Sequence, residues 1–315
     1  MPPSARAVAM NSHKAAIFIC GPTAVGKTGV AIALAERLKT EVLSFDSRQL
    51  YREMQIGTAA PSATERTRVK HHFIGSHPLS DELSAGAFGN EALAIMDELF
   101  KKHNELILVG GSGLYMKAIT EGFDEMPDIP DHIREELNQS LADDGLPALL
   151  DELAAADPQY HGQVDRRNPQ RVIRALEVIR ATGKRYSQFR TGKKAERPFR
   201  IIKIGLDLPR PELYARINRR VDQMIAVGLE QEVLSLKSHW EKKALKTVGY
   251  DELVRHYVGE YDRETAIAEI KKNSRRYAKR QLTWFRRDSE IKWFHPSALE
   301  DMISYLDREL PKTTS

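Results

Sequence analysis

The chain has 315 residues, 41% of them hydrophobic, with a formal charge of +4 and a sequence pI near 9.0. That length holds two domains or one large α/β domain with an insertion, and the hydrophobic content supports a real core, which excludes a disordered or fibrous chain. The lone cysteine, Cys20, excludes an internal disulfide framework and a cysteine-built zinc site, and the absence of any run of about 18 apolar residues excludes a membrane-spanning helix. A reducing, cytoplasmic setting is expected.

Residues 1–13 contain no apolar segment of signal-peptide length and read as a flexible tail. Ala15 to Cys20 is a continuous apolar run, expected as a buried strand. It leads directly into Gly21, Pro22, Thr23, Ala24, Val25, Gly26, Lys27 and Thr28, which fit G-x-x-x-x-G-K-[ST] at every fixed position. Val30, Leu34 and Leu38 then repeat every four residues, the mark of a helix with one core-facing side. A strand, a glycine-rich turn and a helix in that order make a P-loop. Its backbone N–H groups and the helix N-terminus surround phosphate oxygens, Lys27 adds a point charge, and Thr28 is placed to hold Mg²⁺. The motif predicts a diphosphate or polyphosphate ligand but does not say which bond breaks.

Glu41 to Asp46 is a second short apolar run ending on an acid. Parallel strands end on one edge, so Asp46 should emerge beside the P-loop. It is read as a metal-side ligand or as a general base, with a helix cap or loop salt bridge as the bland alternative. His71 to Gly75 reads as a short strand and Gly86 to His103 as a helix. Glu105 to Val109 reads as a strand entering the turn Gly110, Gly111, Ser112, Gly113. That strand ends on glycines where a nucleotide hydrolase would carry its Walker-B acid.

Composition shifts after Gly122. From Asp131 to about Thr191 the pattern is helical, with helices over Ile133–Leu141, Leu146–Ala156 and Arg171–Ala181, and Arg200 to Asp207 then reads as a strand returning to the sheet. The expected layout is a P-loop NTPase-like parallel sheet flanked by helices, its core discontinuous over 14–122 and 200–300. Residues 123–199 form a helical insertion and 301–315 a C-terminal tail. Beyond Pro211 only helices are expected. Arg216 and Arg220 fall one turn apart and suit a clamp on a leaving phosphate. Lys272, Arg275, Arg276, Lys279 and Arg286 suit one basic helix face toward a phosphate backbone, while Ile270, Tyr277, Gln281 and Trp284 form a more apolar stripe. A solvated basic helix is the competing reading.

Together these pieces resemble the tRNA dimethylallyltransferase (tRNA isopentenyltransferase) family. The likeness runs from about Ala15 to Phe294 through the P-loop, Asp46-Ser47 with Gln49 and Tyr51, Ile56-Gly-Thr-Ala59 and Val109 to Tyr115. It continues through Asn168 to Arg171 with Arg174 to Glu177, Arg216 to Met224, Val248 to Tyr250, and Arg276 to Trp284. The resemblance implies transfer of a dimethylallyl group from its diphosphate to N6 of adenosine 37 beside the anticodon, with Mg²⁺, in a monomeric enzyme without a membrane partner. It assigns Asp46, Thr23 and Arg220 to catalysis and Gly21 to Thr28 to the diphosphate, the site of nucleotide and ATP binding in other P-loop proteins. It assigns Asp46, Ser47, Arg48, Gln49, Ser112, Arg134, Gln170, Arg171, Val172, Ile173 and Arg174 to the tRNA. Ser112 stands where the family usually has Thr, and Arg48 where a small residue is common. Rival readings are an adenylate isopentenyltransferase acting on free adenine nucleotides, a small-molecule kinase, and a non-catalytic RNA-binding protein.

Overall fold

A computed structural model describes residues 13–310. Six strands, β1 (Ala15–Cys20), β2 (Val42–Ser44), β3 (His71–His72), β4 (Glu105–Gly110), β5 (Arg200–Leu206) and β6 (Lys292–Phe294), form one parallel sheet in the order β3-β2-β4-β1-β5-β6. β1 lies between β4 and β5 and is buried throughout, which is why its apolar run is unbroken rather than alternating. Its two faces still separate by period two. Ala16, Phe18 and Cys20 enter one core, and Ala15, Ile17 and Ile19 enter the core on the opposite side.

Two compact units are present, one made of residues 1–121 and 196–315 and the other of residues 122–195. In the first, α1 (Lys27–Leu38), α2 (Ala63–Arg68), α3 (Ala85–Leu99) and α4 (Gly113–Thr120) precede the break. After it come α10 (Arg210–Ala226), α11 (Leu229–Ser235), α12 (Tyr250–Tyr257), α13 (Arg263–Phe285) and α14 (Leu299–Glu309). The second unit holds α5 (Asp131–Asp143), α6 (Gly145–Ala156), α7 (Pro158–His161), α8 (Pro169–Thr182) and α9 (Tyr186–Phe189) around its own core of Ile133, Leu137, Leu149, Leu153 and Leu176. Asn168 caps α8 by accepting from Arg171 N, Pro169 occupies the first turn, and Gly183 ends the helix in the left-handed conformation.

Three expectations change. Only His71–His72 of the 71–75 run is strand, because Phe73 turns to φ 61°. The segment after Pro211 is not all helical: Lys292–Phe294 adds a sixth strand, pairing Gly205 with Trp293. Residues 301–310 are not a tail but most of α14, whose Met302 and Leu306, one turn apart, are buried in the core beside α1 and β5. Residues 1–12 and 311–315 of the expected tails lie outside the described residues.

The buried face of α14 yields a direct test. Met302→Ala removes a fully buried side chain and should cost about 2–5 kcal/mol of stability in urea unfolding. An unchanged midpoint would mean the segment is a tail after all.

Candidate active site

Parallel pairing places the C-terminal ends of β1, β2 and β4 on one edge, and the three loops leaving them meet there. Gly21 has φ 144°, and a Cβ at that position would press on the carbonyl oxygen of Leu206 in β5, so the turn out of β1 needs glycine. Gly26 has φ 108° and starts α1. A cleft of about 800 Å³ opens at this edge, lined by Thr23, Lys27 and Thr28 from the P-loop, Asp46 to Gln49 from the loop after β2, and Arg216 and Arg220 from α10. Val25 of the motif faces the core instead.

Lys27 Nζ donates to the carbonyl oxygens of Gly21 (3.1 Å) and Pro22 (2.8 Å). Burial pushes its pKa down to about 8; Asp46 pulls it up and Arg220 pushes it further down. Burial also lowers the pKa of Arg220, with Asp46 again opposing. Arg220 donates through Nη1 to Thr23 Oγ1 (3.4 Å) and through Nη2 to the Ala59 carbonyl (3.5 Å). Arg216 lines the same cleft, pairs with Glu212 at 3.0 Å and keeps its Nη1 beside Gly26, so both arginines of the expected clamp lie against the P-loop, Arg220 at Thr23 and Arg216 at Gly26.

Asp46 Oδ1 accepts from Arg48 N at 3.0 Å, a local turn that orients the carboxylate. Ser47 N donates to Ser112 Oγ (2.9 Å), and Ser112 Oγ donates to Ser47 Oγ (3.1 Å), so the hydroxyl of Ser112 ties the loop after β4 to the residue beside Asp46. Gln49 Nε2 donates to the Thr58 and Ala59 carbonyls, holding the 55–60 segment over the cleft.

Two supporting residues were assigned no role in the sequence reading. Gln281, buried on α13, accepts from Thr23 N through Oε1 (2.9 Å) and donates through Nε2 to the Gly111 carbonyl (2.9 Å), bridging the P-loop and the turn after β4. Its clues were a polar side chain in an otherwise apolar stripe and its place inside the Arg276 to Trp284 stretch. Glu232 accepts from Gln55 N, Ile56 N, Gly57 N and the Tyr250 hydroxyl. Burial and this carboxylate push the Tyr250 pKa far up.

In the second unit, buried Glu177 accepts from both Arg134 and Arg174, which stay partly exposed, and Gln170 and Arg171 are exposed on α8. Val172 and Ile173, expected to touch RNA, are core residues of that unit; their side chains pack inward, as the helical periodicity demands. The expected basic face of α13 also changes. Lys272 pairs with Glu269, Arg286 with Asp207, and Arg275 donates to Asn218 and covers the Tyr214 ring.

A scan against family models matches residues 49–288 to the IPP transferase model. The chain belongs to the IPP transferase family. Its relatives include the tRNA dimethylallyltransferases of Cytophaga hutchinsonii, 47% identical over 95% of this chain and 98% of that one, and of Christiangramia forsetii, 51% identical over 88% and 92%. Among solved structures, the full-length tRNA isopentenylpyrophosphate transferase of Bacillus halodurans superposes with a TM-score of 0.71 at 37% identity, covering 95% of this chain and 97% of that one. The P-loop-like α/β fold of this IPP transferase is thus shared with a solved member. Among the described residues, no helix is long and apolar enough to cross a membrane.

Two measurements probe the site. Gln281→Leu leaves Thr23 N and the Gly111 carbonyl unpaired and should cost about 1–3 kcal/mol per unpaired group, read by urea unfolding; a neutral result would show that the bridge holds nothing. Because the folded pKa of Lys27 lies below its ordinary value of 10.5, the folded protein binds fewer protons than the unfolded chain between about 8 and 10.5. The cost of burying the ammonium is therefore full below about pH 8 and fades as pH rises through that window. An anion in the loop should reverse this, so titrating inorganic diphosphate at about pH 8 should show proton uptake in buffers of different ionisation heat, lost in Lys27→Met. Equal uptake in the variant would assign the proton elsewhere.

Proposed function

We propose that this enzyme transfers the dimethylallyl group of dimethylallyl diphosphate to the exocyclic N6 of adenosine 37, next to the anticodon of tRNA, and releases diphosphate. The observation that carries this reading is the pairing of a half-buried cation seat, Lys27 with Arg220, and one strand-end carboxylate, Asp46, in a single cleft whose neighbouring strand β4 ends on Gly110, followed by Gly111, rather than on an acid. Such a site is equipped to stabilise a departing polyphosphate and to accept a proton. It has no strand-end acid after β4 of the kind that P-loop hydrolases use on Mg²⁺.

The chemistry follows from those charges. The adenine amino group is a weak nucleophile because its lone pair is shared with the ring. As N6 attacks C1 of the allylic donor, the C1–O bond breaks and its electron pair leaves with the diphosphate. The N6 proton passes to the Asp46 carboxylate, held in place by Arg48 N. Negative charge grows on the diphosphate oxygens, where Lys27, Arg220 and the loop amides favour the transition state over the ground state. Thr23, bonded to Arg220 through its hydroxyl and to Gln281 through its amide, positions that guanidinium.

Thr28, at the first turn of α1, is the residue that would hold Mg²⁺. Among the described residues no three His, Cys, Asp or Glu side chains gather into a metal site. The fit is to an ion carried mainly by diphosphate oxygens and water, the usual habit of Mg²⁺; when bound it supplies further neutralisation of the leaving group.

A base reaching this cleft must leave its stack, and unstacking is cheapest in a single-stranded loop. Arg134, Gln170, Arg171 and Arg174 are proposed to contact that tRNA, with Glu177 fixing two of the arginines; Arg48, Gln49, Ser47 and Ser112 are proposed on the acceptor side of the cleft. A monomer in the cytoplasm suffices for this reading.

The test is label transfer from dimethylallyl diphosphate, with Mg²⁺, to unmodified tRNA or to free AMP. Label should enter tRNA alone, and Asp46→Ala should lower turnover by about 10²–10⁴-fold, the range of a general base, while tRNA binding persists. Label in AMP alone would favour an adenylate isopentenyltransferase, and near wild-type turnover of Asp46→Ala would remove Asp46 as the base.

A further inference from the structure

Glu232 on α11 takes no part in the reaction above and is not among the residues that line the cleft, yet its two carboxylate oxygens accept four hydrogen bonds. Oε2 accepts from Gln55 N (2.9 Å) and Ile56 N (2.8 Å), and Oε1 accepts from Gly57 N (3.0 Å) and the Tyr250 hydroxyl (2.6 Å). Three consecutive backbone N–H groups aimed at one anion form a nest, closed here by a side chain instead of a ligand. Bonds to an ionised acceptor are roughly twice as strong as neutral ones, so the 55–57 backbone is firmly fixed.

The fixed segment continues into the cleft. Ala59 N donates to the Ile56 carbonyl (2.9 Å) and Ala60 N to the Gln55 carbonyl (3.0 Å), so the turn over 55–60 is built on the residues that Glu232 holds. Ala59 sits at φ 49°, a left-handed conformation that a residue with a Cβ keeps only where its surroundings enforce it. Its carbonyl accepts from Gln49 Nε2 (3.2 Å) on the acceptor side and from Arg220 Nη2 (3.5 Å) on the diphosphate side. The other contact of the guanidinium, with Thr23 Oγ1, is 3.4 Å long. Both tethers of Arg220 are therefore at the long end of the hydrogen-bond range, whereas all four bonds to Glu232 are 3.0 Å or shorter. The turn is the stiff partner, and the guanidinium follows it.

We propose that Glu232 is a positioning residue for the transfer: through the Ala59 carbonyl it sets where the Arg220 guanidinium meets the departing diphosphate. The proposal rests on the reading of this cleft as a diphosphate seat. Arg220 on α10 and Glu232 on α11 grip the same turn, the cation by a carbonyl oxygen and the anion by amide N–H groups. A tether serving stability alone would need neither the left-handed Ala59 nor a carbonyl shared between Arg220 and Gln49. That shared acceptor is what links the turn to both sides of the reaction.

The experiment compares Glu232→Gln, Arg220→Ala and the double variant in the full chain. Gly57→Ala displaces the same turn independently, because a Cβ there would collide with the Tyr250 ring. The amide of Glu232→Gln keeps the shape of the side chain but turns an NH₂ toward N–H donors, so the turn should shift. A shift of about 1 Å costs on the order of 10²-fold, and kcat for tRNA should fall by about that much with KM little changed. Gly57→Ala should show the same split. In the Arg220→Ala background either change should cost no more than about threefold further, since the group it positions is gone. By calorimetry, affinity for inorganic diphosphate should fall about tenfold in Glu232→Gln, the size of one charge-assisted contact, and no further in the double variant. Near-ultraviolet circular dichroism checks each variant for native packing; if Glu232→Gln does not fold, the cycle of Gly57→Ala with Arg220→Ala carries the test. Losses that multiply in the double variants, or wild-type kcat in folded Glu232→Gln, would overturn the positioning role, as would a raised KM for tRNA with kcat intact. Diphosphate binding that follows the expected pattern in a protein that transfers no dimethylallyl group would instead overturn the proposed function and leave the role of Glu232 standing.

Discussion

Lys27 and Arg220 are half-buried in the same cleft, and desolvation works against both charges. Asp46, and Glu65 toward Arg220, offset part of that cost, but these two carboxylates share the cleft with Arg216 as well as with Lys27 and Arg220, and the charge of Arg220 works against that of Lys27. A polyanion bound between them relieves the imbalance, and an anion whose charge grows during reaction relieves it further. The fold accepts this local cost because the central strand beneath is fully buried: β1, which delivers the P-loop, has no exposed residue. The hydrophobic core thus holds an electrostatically unfavourable arrangement that becomes favourable only with the leaving group in place.

Holding that arrangement needs contacts far apart in sequence. Gln281 joins the donor side, through Thr23, to the turn that carries Ser112; Ser112 joins that turn to the loop of Asp46. Glu232 fixes the 55–57 backbone that covers the cleft, and the Tyr250 ring packs against Gly57 so closely that no larger residue fits there. Cation seat, base and cover are therefore one connected polar network. Small displacements of any member are expected to reach the reacting groups, since proximity effects depend steeply on geometry.

The P-loop and Asp46 were legible in the sequence because their conformations are local: glycine φ angles, a strand that ends, a helix that begins. Of the helices of residues 122–195, α5, α6 and α8 were legible because each has a periodic apolar face, whereas α7 and α9, four residues each, are too short to show one. What escaped depends on distant partners. β6 is three residues long and is a strand only because β5 lies beside it. α14 is short and close to the chain end, so its Met302 and Leu306 pair looked incidental until the core received it. Val172 and Ile173 turn to the core because a stretch assigned as a unit to RNA contact mixes surface and core faces of one helix. On α13 the spacing of basic residues was visible, but the acids on other elements that neutralise Lys271 and Arg286 were not, and these decide which charges remain available.

The central claim is that this P-loop holds a leaving diphosphate and that no phosphoryl group moves. The most direct test is a donor carrying ¹⁸O at the oxygen that bridges the dimethylallyl carbon and the diphosphate. Incubated with unmodified tRNA, the enzyme should release diphosphate that contains all of the label, because the C–O bond is the one that breaks. Label remaining on the dimethylallyl fragment, with unlabelled phosphate transferred or released, would mean P–O cleavage and would contradict the account.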